Sequence, residues 1–289
     1  MMSKIKGFFL GFFLTLAIII PIYLLFAALG LRSSALPIDG AKANVPMAKP
    51  VSGDAKTVLI ISGEDSAETF VLLRLDALTN RICTVVLPEN TVLLLDGQPI
   101  TLGKAAATCG PAQAVECIAS TLDITINDYI MASPKTLSEM ASPLGSANVR
   151  LANYLSSEAL GQLKLLVPGV ETLVLSPTKL LEILSSGLIP DEQLAAIRGD
   201  GYLAFLRAGA HMLAEVFPSA MRKYSKELST SIAATDIYDY ERVLKFLQKQ
   251  EPEFKTGVLP GETNNGCFEL APTAPDTAKE YLYGSNFAQ

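Results

Sequence analysis

The hydrophobic pattern divides the chain into one unbroken apolar segment near the amino terminus and a longer region of short, interrupted runs. The first segment, Gly7–Leu31, contains 25 residues and no charged side chain. As a helix it would be ~37 Å long, which exceeds the ~30 Å hydrocarbon core of a bilayer. Pro21 lies inside this run, and membrane helices tolerate proline because neighbouring groups satisfy the freed carbonyl. The pattern therefore predicts one transmembrane helix.

The charges around this segment predict its orientation. Lys4 and Lys6 precede it, and positive charge holds a short flanking segment in the cytoplasm. We therefore expect a cytoplasmic tail over residues 1–6, a membrane helix over residues 7–31, and the remaining chain outside the cell membrane. A cleaved signal peptide is the alternative, because small residues occur near the end of the run. Its apolar region would, however, span only ~7–15 residues.

Beyond residue 56, apolar and β-branched residues occur in short runs that predict strands. Ala77–Asn80 separates the second run from the third and has a suitable length for a hairpin connection. Residues 32–56 are rich in Ala, Pro, Ser and Gly and predict a linker to a domain over residues 57–289. The predicted strands are Thr57–Ser62, Thr69–Asp76, Arg81–Leu87, Val92–Leu95 and Thr256–Leu259.

Helical signals alternate with these runs. Ser176 is suited to cap a helix that begins at Pro177 and ends before Gly187. The early strands look antiparallel, and strands interleave with helices. We therefore expect an α/β fold with a mixed central β-sheet flanked by helices on both faces. The other predicted helices open at Pro111, with Val115, Ile118 and Leu122 on one face, or cover Gly201–Phe217 and Tyr240–Gln250.

Charge and cysteine content exclude several functions. Residues 33–289 carry 20 Lys and Arg against 29 Asp and Glu, because three of the 23 basic residues and no acid precede them. The resulting charge of −9 argues against nucleic acid and against broad binding to anionic lipid. Four cysteines outside the membrane suffice for two disulfides, although Cys83 lies in an apolar strand and suits a buried position. Their spacing and the single histidine do not predict a zinc site.

The order of these segments resembles the LytR-CpsA-Psr family of cell-wall proteins. Val58–Asp65 is similar to the first family strand with its Gly-x-Asp ending. Ala67–Thr91 is similar to the stretch that joins the Arg-x-Asp-Thr and Ile-Pro-Arg-Asp-Thr motifs. Three later segments resemble the family in the same order, namely Leu102–Tyr129, Ser176–Ser185 and Val258–Glu262.

The resemblance implies an anchored extracellular domain of the LytR-CpsA-Psr type. Members of this family transfer wall glycopolymers from a polyprenyl-pyrophosphate carrier to peptidoglycan, using magnesium. The resemblance also implies that the apolar strands and the helix Gly201–Phe217 wall a tunnel for the lipid tail. Planar arginine side chains suit the doubly phosphorylated headgroup because they bind phosphate with two hydrogen bonds.

Most of those arginines are replaced in this chain. The Arg of the Arg-x-Asp-Thr motif would be Ser66, and the Arg of the Ile-Pro-Arg-Asp-Thr motif is Glu89. The family also carries two arginines in a late helix, in an Arg-x-x-Arg-Gln motif. Their positions in this chain are Ala204 and Arg207, so only the second arginine remains. Each lost charge-assisted contact is worth ~1.5–3 kcal/mol, so the residues argue against the transfer chemistry. The degenerate positions are Ser66, Ala67, Glu89, Asn90, Gly103 and Ala204.

Three functions follow from this sequence. The first is a pseudoenzyme of the cell envelope that binds a polyprenyl-linked lipid, a wall polymer or a protein partner. The second is an active glycopolymer phosphotransferase with Arg207 as its candidate catalytic residue and magnesium held by Asp65 and Glu68. The third is a structural or assembly module without a small ligand. The predicted ligand-binding residues are Asp65, Glu68, Lys104 and Arg207.

Plainer interpretations also account for the candidate residues. A solvated acidic loop accounts for Asp65 and Glu68, and a turn after Pro88 accounts for Glu89 and Asn90. The residues expected at the surface in this interpretation are Lys104, Arg74 and the lone histidine, His211.

Overall fold

The computed structural model describes residues 49–63, 67–95, 97–165 and 172–284. Twelve strands occur in these ranges. They are β1 (Ala55–Gly63), β2 (Ala67–Asp76), β3 (Arg81–Pro88), β4 (Val92–Leu95), β5 (Gln98–Thr101), β6 (Asp128–Ala132), β7 (Ala147–Val149), β8 (Leu173–Leu175), β9 (Ser229–Thr230), β10 (Glu253–Val258), β11 (Gly261–Asn264) and β12 (Cys267–Leu270).

Nine α-helices in the same ranges pack around the strands. They are α1 (Leu102–Cys109), α2 (Pro111–Leu122), α3 (Pro134–Ala141), α4 (Ser157–Gln162), α5 (Pro177–Leu184), α6 (Asp191–Ala208), α7 (Leu213–Lys223), α8 (Ile237–Gln250) and α9 (Ala274–Tyr283). The Ser176 side chain accepts a hydrogen bond from the Lys179 amide and so caps α5, as predicted.

Six strands form a mixed central sheet in the order β10-β3-β2-β1-β6-β9. β1, β2 and β3 are antiparallel neighbours, whereas β6 is parallel to β1 and β10 is parallel to β3. Consequently β1, β3, β6 and β10 run in the same direction. We call the end of the sheet at which these four strands terminate the carboxyl end of the sheet. The tight β2–β3 connection ends at Asn80, whose φ of 54° suits a turn residue.

Helices cover both faces of the sheet, because successive apolar side chains along each strand point to opposite faces. On the first face, Leu59 and Ile61 belong to a core shared with α1, α2 and α9. On the second face, Val58 packs with α7 and α8, while Val71 and Val86 pack with α6. We call these the α1 face and the α6 face. The predicted mixed sheet with helices on both faces is confirmed.

The prediction of one helix over Gly201–Phe217 is wrong. α6 ends at Ala208 and α7 begins at Leu213, with a short 3-10 turn between them. Gly209 lies at this break, where a Cβ atom would come within 2.5 Å of Leu144 Cδ2. The close packing of Gly209 against Leu144 ends α6.

α6 also begins at Asp191, well before the predicted start. Glycine lowers helix propensity, and Gly199 and Gly201 lie in this stretch. The packing explains both residues. A Cβ at Gly199 would lie 2.7 Å from Thr256 Oγ1, and one at Gly201 would lie 2.6 Å from Leu180 Cδ2. Tertiary contacts therefore override the local preference.

The predicted tail and membrane helix, together with most of the linker, fall in residues 1–48, outside the described part of the chain. Among the residues that are described, no helix is long and apolar enough to cross a membrane. From Pro50 onward the chain forms one unit with hydrophobic cores of its own. Such a unit is expected to fold independently. Its first strand begins at Ala55, inside the predicted linker.

Candidate functional site

Of the two predicted magnesium ligands, Asp65 and Glu68, the described part of the chain includes only Glu68. Asp65 and Ser66 lie outside the described residues, and Ala67 and Glu68 are the first two residues of β2. Across the described ranges, no three His, Cys, Asp or Glu side chains come together to hold a metal ion. Magnesium binding by Asp65 and Glu68 therefore stays a prediction.

The residues after β3 form a hydrogen-bonded turn. Thr91 donates from its hydroxyl to the Pro88 carbonyl at 2.6 Å, and the Thr91 amide donates to the same oxygen at 3.1 Å. Asn90 donates from Nδ2 to the Gly266 carbonyl at 2.8 Å, which ties the turn to the β11–β12 ribbon. The Glu89 side chain is exposed. Asn90, which stands where the family motif has its Asp, thus has a structural role in this turn.

Lys104 lies close to this turn. The Gly103 amide donates to the Glu89 carbonyl at 2.8 Å, which fixes the first turn of α1 beside the end of β3. Lys104 is exposed at that turn, and α1 packs on the α1 face of the sheet through Leu102. The lysine is therefore at the carboxyl end of the sheet.

Arg207 lies elsewhere in the domain. Its guanidinium carbon is 5.3 Å from the centroid of the Phe254 ring, and Phe254 pairs with Ile82 at the beginning of β3. Pro88, where β3 ends, is six residues beyond Ile82, or about 20 Å at ~3.3 Å per residue. Arg207 also belongs to α6 and so lies on the face opposite α1. The structure does not bring Arg207 and Lys104 together.

The neighbours of Arg207 on the predicted helix face are also dispersed. Ala204 packs against a third core, formed by α4, α5, α6, β7 and β8. Asp200 accepts a hydrogen bond from the Tyr154 hydroxyl. His211 is exposed in the turn after α6, and its carbonyl accepts from the Gln248 side chain. These contacts support the packing of α6 and do not form a phosphate site.

An apolar cavity of about 170 Å³ lies between the α6 face of the sheet and three helices. β1, β2 and β3 form its floor, and α3, α5 and α6 form its walls. None of the described residues that line it is charged. Representative wall residues are Leu137, Ala141, Leu180, Tyr202, Phe205 and Leu206.

Three hydroxyl side chains interrupt the apolar floor of this cavity. Ser62 and Thr69 are cross-strand partners on β1 and β2, near the carboxyl end of the sheet. Thr84 lies on β3 opposite Leu73, further from that end. The Thr84 residue is only 1% exposed, and its Oγ1 has no hydrogen-bond partner among the described residues.

Part of this cavity was not predicted from the sequence. α3 is absent from the predicted helices, although Ser133 accepts a hydrogen bond from the Thr136 amide and precedes a proline at the first helical position. Thr84 was predicted only as part of a strand. The signal in the sequence for a cavity residue at this position was a hydroxyl side chain within an otherwise apolar strand.

The prediction that Arg74 faces solvent is wrong. Its side chain is 12% exposed and donates to Thr57 Oγ1 at 3.0 Å and to Asp76 Oδ2 at 3.1 Å. Its guanidinium carbon also lies 4.3 Å from the centroid of the Tyr283 ring. Because Tyr283 belongs to α9, this arginine joins β1, β2 and the last helix.

The four cysteines, all within the described ranges, form no disulfide. Cys83 is buried, as predicted, on the α1 face. Burial raises the pKa of its thiol, and the nearby charges of Arg81 and Lys255 offset only part of this effect. A buried thiol with a raised pKa is a poor nucleophile, so Cys83 is a core residue.

Comparisons with known proteins identify the fold. No family model matches the sequence, and no curated protein matches it. Among solved structures, a candidate transcription regulator of Eubacterium siraeum has a TM-score of 0.68 at 15% identity, over 85% of this chain and 97% of that chain. This likeness spans nearly all of the domain.

Two structures from Bacillus subtilis are also similar. TagT has a TM-score of 0.61 at 15% identity, over 82% of this chain and 93% of its own. TagV has a TM-score of 0.60 at 14% identity, over 80% and 98%. TagT and TagV are wall teichoic acid transferases of the LytR-CpsA-Psr family. The predicted LytR-CpsA-Psr-like fold is therefore confirmed.

Proposed function

We propose that this chain is a membrane-anchored, non-catalytic protein of the cell envelope that holds the apolar chain of a lipid in its cavity. The cavity on the α6 face is the observation that carries the proposal, because its described lining contains no charged residue. A concave, half-open site with apolar walls suits a hydrocarbon chain. The charge-free run Gly7–Leu31 supports the membrane anchor.

The likeness to TagT and TagV supports a role at the cell wall. One similar structure is TagT bound to LIIa-WTA, which has a TM-score of 0.63 at 14% identity, over 81% of this chain and 92% of that chain. LIIa-WTA is the ligand of TagT in that structure. For this chain, the likeness to TagT supports a polyprenyl-linked lipid or a wall polymer as the class of ligand, and a cell membrane location with the domain outside.

The arrangement of charges favours a pseudoenzyme over an active phosphotransferase. The predicted enzyme needs Lys104 and Arg207 beside one pyrophosphate, yet these residues lie on opposite faces and near opposite ends of the sheet. The positions of two motif arginines carry Ser66 and Glu89. Magnesium ordinarily needs phosphate oxygens as partners, so a weakened phosphate site also weakens the case for the metal.

Displacement of the neutral dye N-phenyl-1-naphthylamine by farnesyl pyrophosphate tests this proposal on residues 50–289. We expect displacement that is the same with and without magnesium. Ala141→Phe places a ring in the cavity and is expected to weaken binding at least tenfold. Ala112→Phe is the matched control, because Ala112 is exposed on α2, which packs on the α1 face.

Each other outcome selects a different function. Binding that requires magnesium and weakens in Arg207→Ala would support the phosphotransferase. Failure of both dye and lipid to bind would support an assembly module without a small ligand. Unchanged binding in Ala141→Phe would place the lipid outside the cavity and contradict the proposal.

A further inference from the structure

Three exposed apolar side chains lie at the end of the sheet opposite its carboxyl end, which we call the amino end. Val51 is 59% exposed, Leu78 is 50% exposed and Tyr238 is 68% exposed. Val51 precedes β1, Leu78 lies in the turn after β2, and Tyr238 is the second residue of α8. Single exposed apolar residues are ordinary, whereas a cluster of them marks an interaction surface.

An ion pair connects the surroundings of these three residues. The Val51 amide donates to Asp54 Oδ2 at 2.8 Å, and the Asp54 carbonyl accepts at 3.1 Å from the amide of the residue before Leu78. Arg242 Nε donates to Asp54 Oδ1 at 2.9 Å, and Tyr238 lies about one helical turn before Arg242 on α8. The three apolar side chains therefore belong to one surface, which we call the amino-end patch.

Charged residues beside the amino-end patch largely neutralise one another. Arg242 also pairs with Asp239 at 3.1 Å, and Lys245 pairs with Glu241. Arg242 follows Tyr238 by four residues and Lys245 follows Arg242 by three, so all three lie on one side of α8. Long cationic side chains can lie along an apolar surface while their charged ends reach phosphate groups. Such a surface suits the boundary between lipid headgroups and acyl chains, where tyrosine is enriched.

The position of the patch along the chain favours a membrane as its partner. The predicted membrane helix ends at Leu31, and residues 32–49 separate it from Pro50, where the folded unit begins. A fully extended chain of that length spans at most ~65 Å. A tether this short keeps the concentration of lipid around the patch high, so a surface of weak intrinsic affinity is sufficient.

We propose that the amino-end patch binds the surface of the membrane, with Val51, Leu78 and Tyr238 at the level of the lipid headgroups. This inference rests on the membrane anchor of the proposed function and adds an orientation, in which the carboxyl end of the sheet points away from the lipid. The contact is apolar rather than electrostatic, which agrees with the charge of −9 on residues 33–289.

A single tryptophan can report on this contact, because the chain has no native tryptophan. The full chain with Tyr238→Trp would be reconstituted in phosphatidylcholine vesicles with and without brominated acyl chains, which quench tryptophan at short range. We expect brominated lipid to remove about half of the emission, as at the boundary between headgroups and acyl chains. Val258→Trp is the matched control, since Val258 is 46% exposed at the carboxyl end of the sheet, and its emission should not change.

A charge in the patch tests the apolar nature of the contact. Leu78→Asp should reduce the quenching of Tyr238→Trp by about twofold or more, because an ionised carboxylate resists transfer out of water. Val174→Asp is the control for an added charge, since Val174 is 71% exposed on β8, and should leave the quenching unchanged. Quenching should also persist in about 0.5 M salt, since salt screens electrostatic contacts and not apolar ones.

The outcomes separate this inference from the proposed function. Failure of the full chain to float with vesicles would overturn the membrane anchor and this inference together. Flotation without quenching of Tyr238→Trp would overturn this inference alone. Quenching of Val258→Trp would contradict the orientation, and unchanged quenching in Leu78→Asp would place the contact outside the amino-end patch. Quenching that disappears in salt would overturn the apolar contact.

Discussion

The Tyr240 hydroxyl donates a 2.7 Å hydrogen bond to Asp128 Oδ2, and this bond joins α8 to the first residue of β6. Tyr240 is 1% exposed. The other carboxylate oxygen of Asp128 accepts from the Ser231 hydroxyl at 2.8 Å. The carboxylate therefore connects a helix, a central strand and the segment after β9.

Tyr240→Phe removes this bond and should destabilise the domain by about 1.5–3 kcal/mol at neutral pH, because the acceptor is charged. Urea unfolding followed by circular dichroism measures the change. Tyr238→Phe is the control, since Tyr238 is 68% exposed, and should leave stability within about 0.5 kcal/mol of wild type. Equal effects in both variants would contradict a special role for the buried bond.

The same tyrosine predicts a loss of stability in alkaline solution. Burial, followed by the hydrogen bond to Asp128, raises the pKa of Tyr240 above its ordinary value of 10.0. The folded protein therefore retains a proton that the unfolded chain releases. The contribution of the protonated Tyr240 hydroxyl to the free energy of unfolding is complete below pH 10. This contribution is lost as the pH rises above that value. Unfolding midpoints between pH 8 and 11 should fall less steeply in Tyr240→Phe than in wild type.

Arg74→Ala should be strongly destabilising, by about 3 kcal/mol, because it leaves the buried Asp76 carboxylate without its cation. It also removes the contact with Tyr283. Lys179→Ala provides the comparison, since the Lys179–Glu182 pair is exposed and should contribute less than 1 kcal/mol. Chemical denaturation of both variants gives the difference directly, and a small effect of Arg74→Ala would refute the structural role.

Gly209→Ala should destabilise the domain by about 1–3 kcal/mol, because the new methyl group would overlap Leu144 at the break between α6 and α7. Gly161→Ala is a matched control within α4, where a Cβ meets no atom within 4 Å, and should be neutral or stabilising. Thermal unfolding distinguishes the two. If Leu144→Ala restores stability to Gly209→Ala, the overlap is the cause.

Arg207→Ala tests whether the surviving motif arginine binds phosphate. We expect unchanged binding of farnesyl pyrophosphate, because Arg207 lies over Phe254 and does not line the cavity. The loss of the cation–π contact should cost only about 0.5–1 kcal/mol of stability. Calorimetric titration with and without magnesium measures the binding. A large magnesium-dependent loss of affinity would contradict the pseudoenzyme proposal.

Local patterns in the sequence were sufficient to predict the strands that form the centre of the sheet. β-branched and apolar runs identified β1, β2 and β3 to within two residues, because a strand buried on both faces needs apolar residues along its whole length. Ser176 and Pro177 identified the start of α5 for a similarly local reason, since capping involves residues three apart.

The candidate site depended on contacts that local patterns do not report. Arg207 and Lys104 match or adjoin family motifs, yet the register of β10 with β3 and the packing of α1 separate them. Residues that are distant in sequence come together only through the topology of the sheet. For the same reason, the burial of Arg74 beneath Tyr283 could not be inferred from its neighbours in the chain.

The sequence by itself determined the α/β class, the mixed sheet, the resemblance to LytR-CpsA-Psr proteins and the replacement of their arginines. These properties depend on residue type and spacing along the chain. Only the tertiary structure decided where α6 ends, which charges lie together and which residues line the cavity. An apolar wall residue and an apolar core residue have the same chemistry, so only the packing of α3, α5 and α6 against the sheet distinguishes a filled core from a cavity.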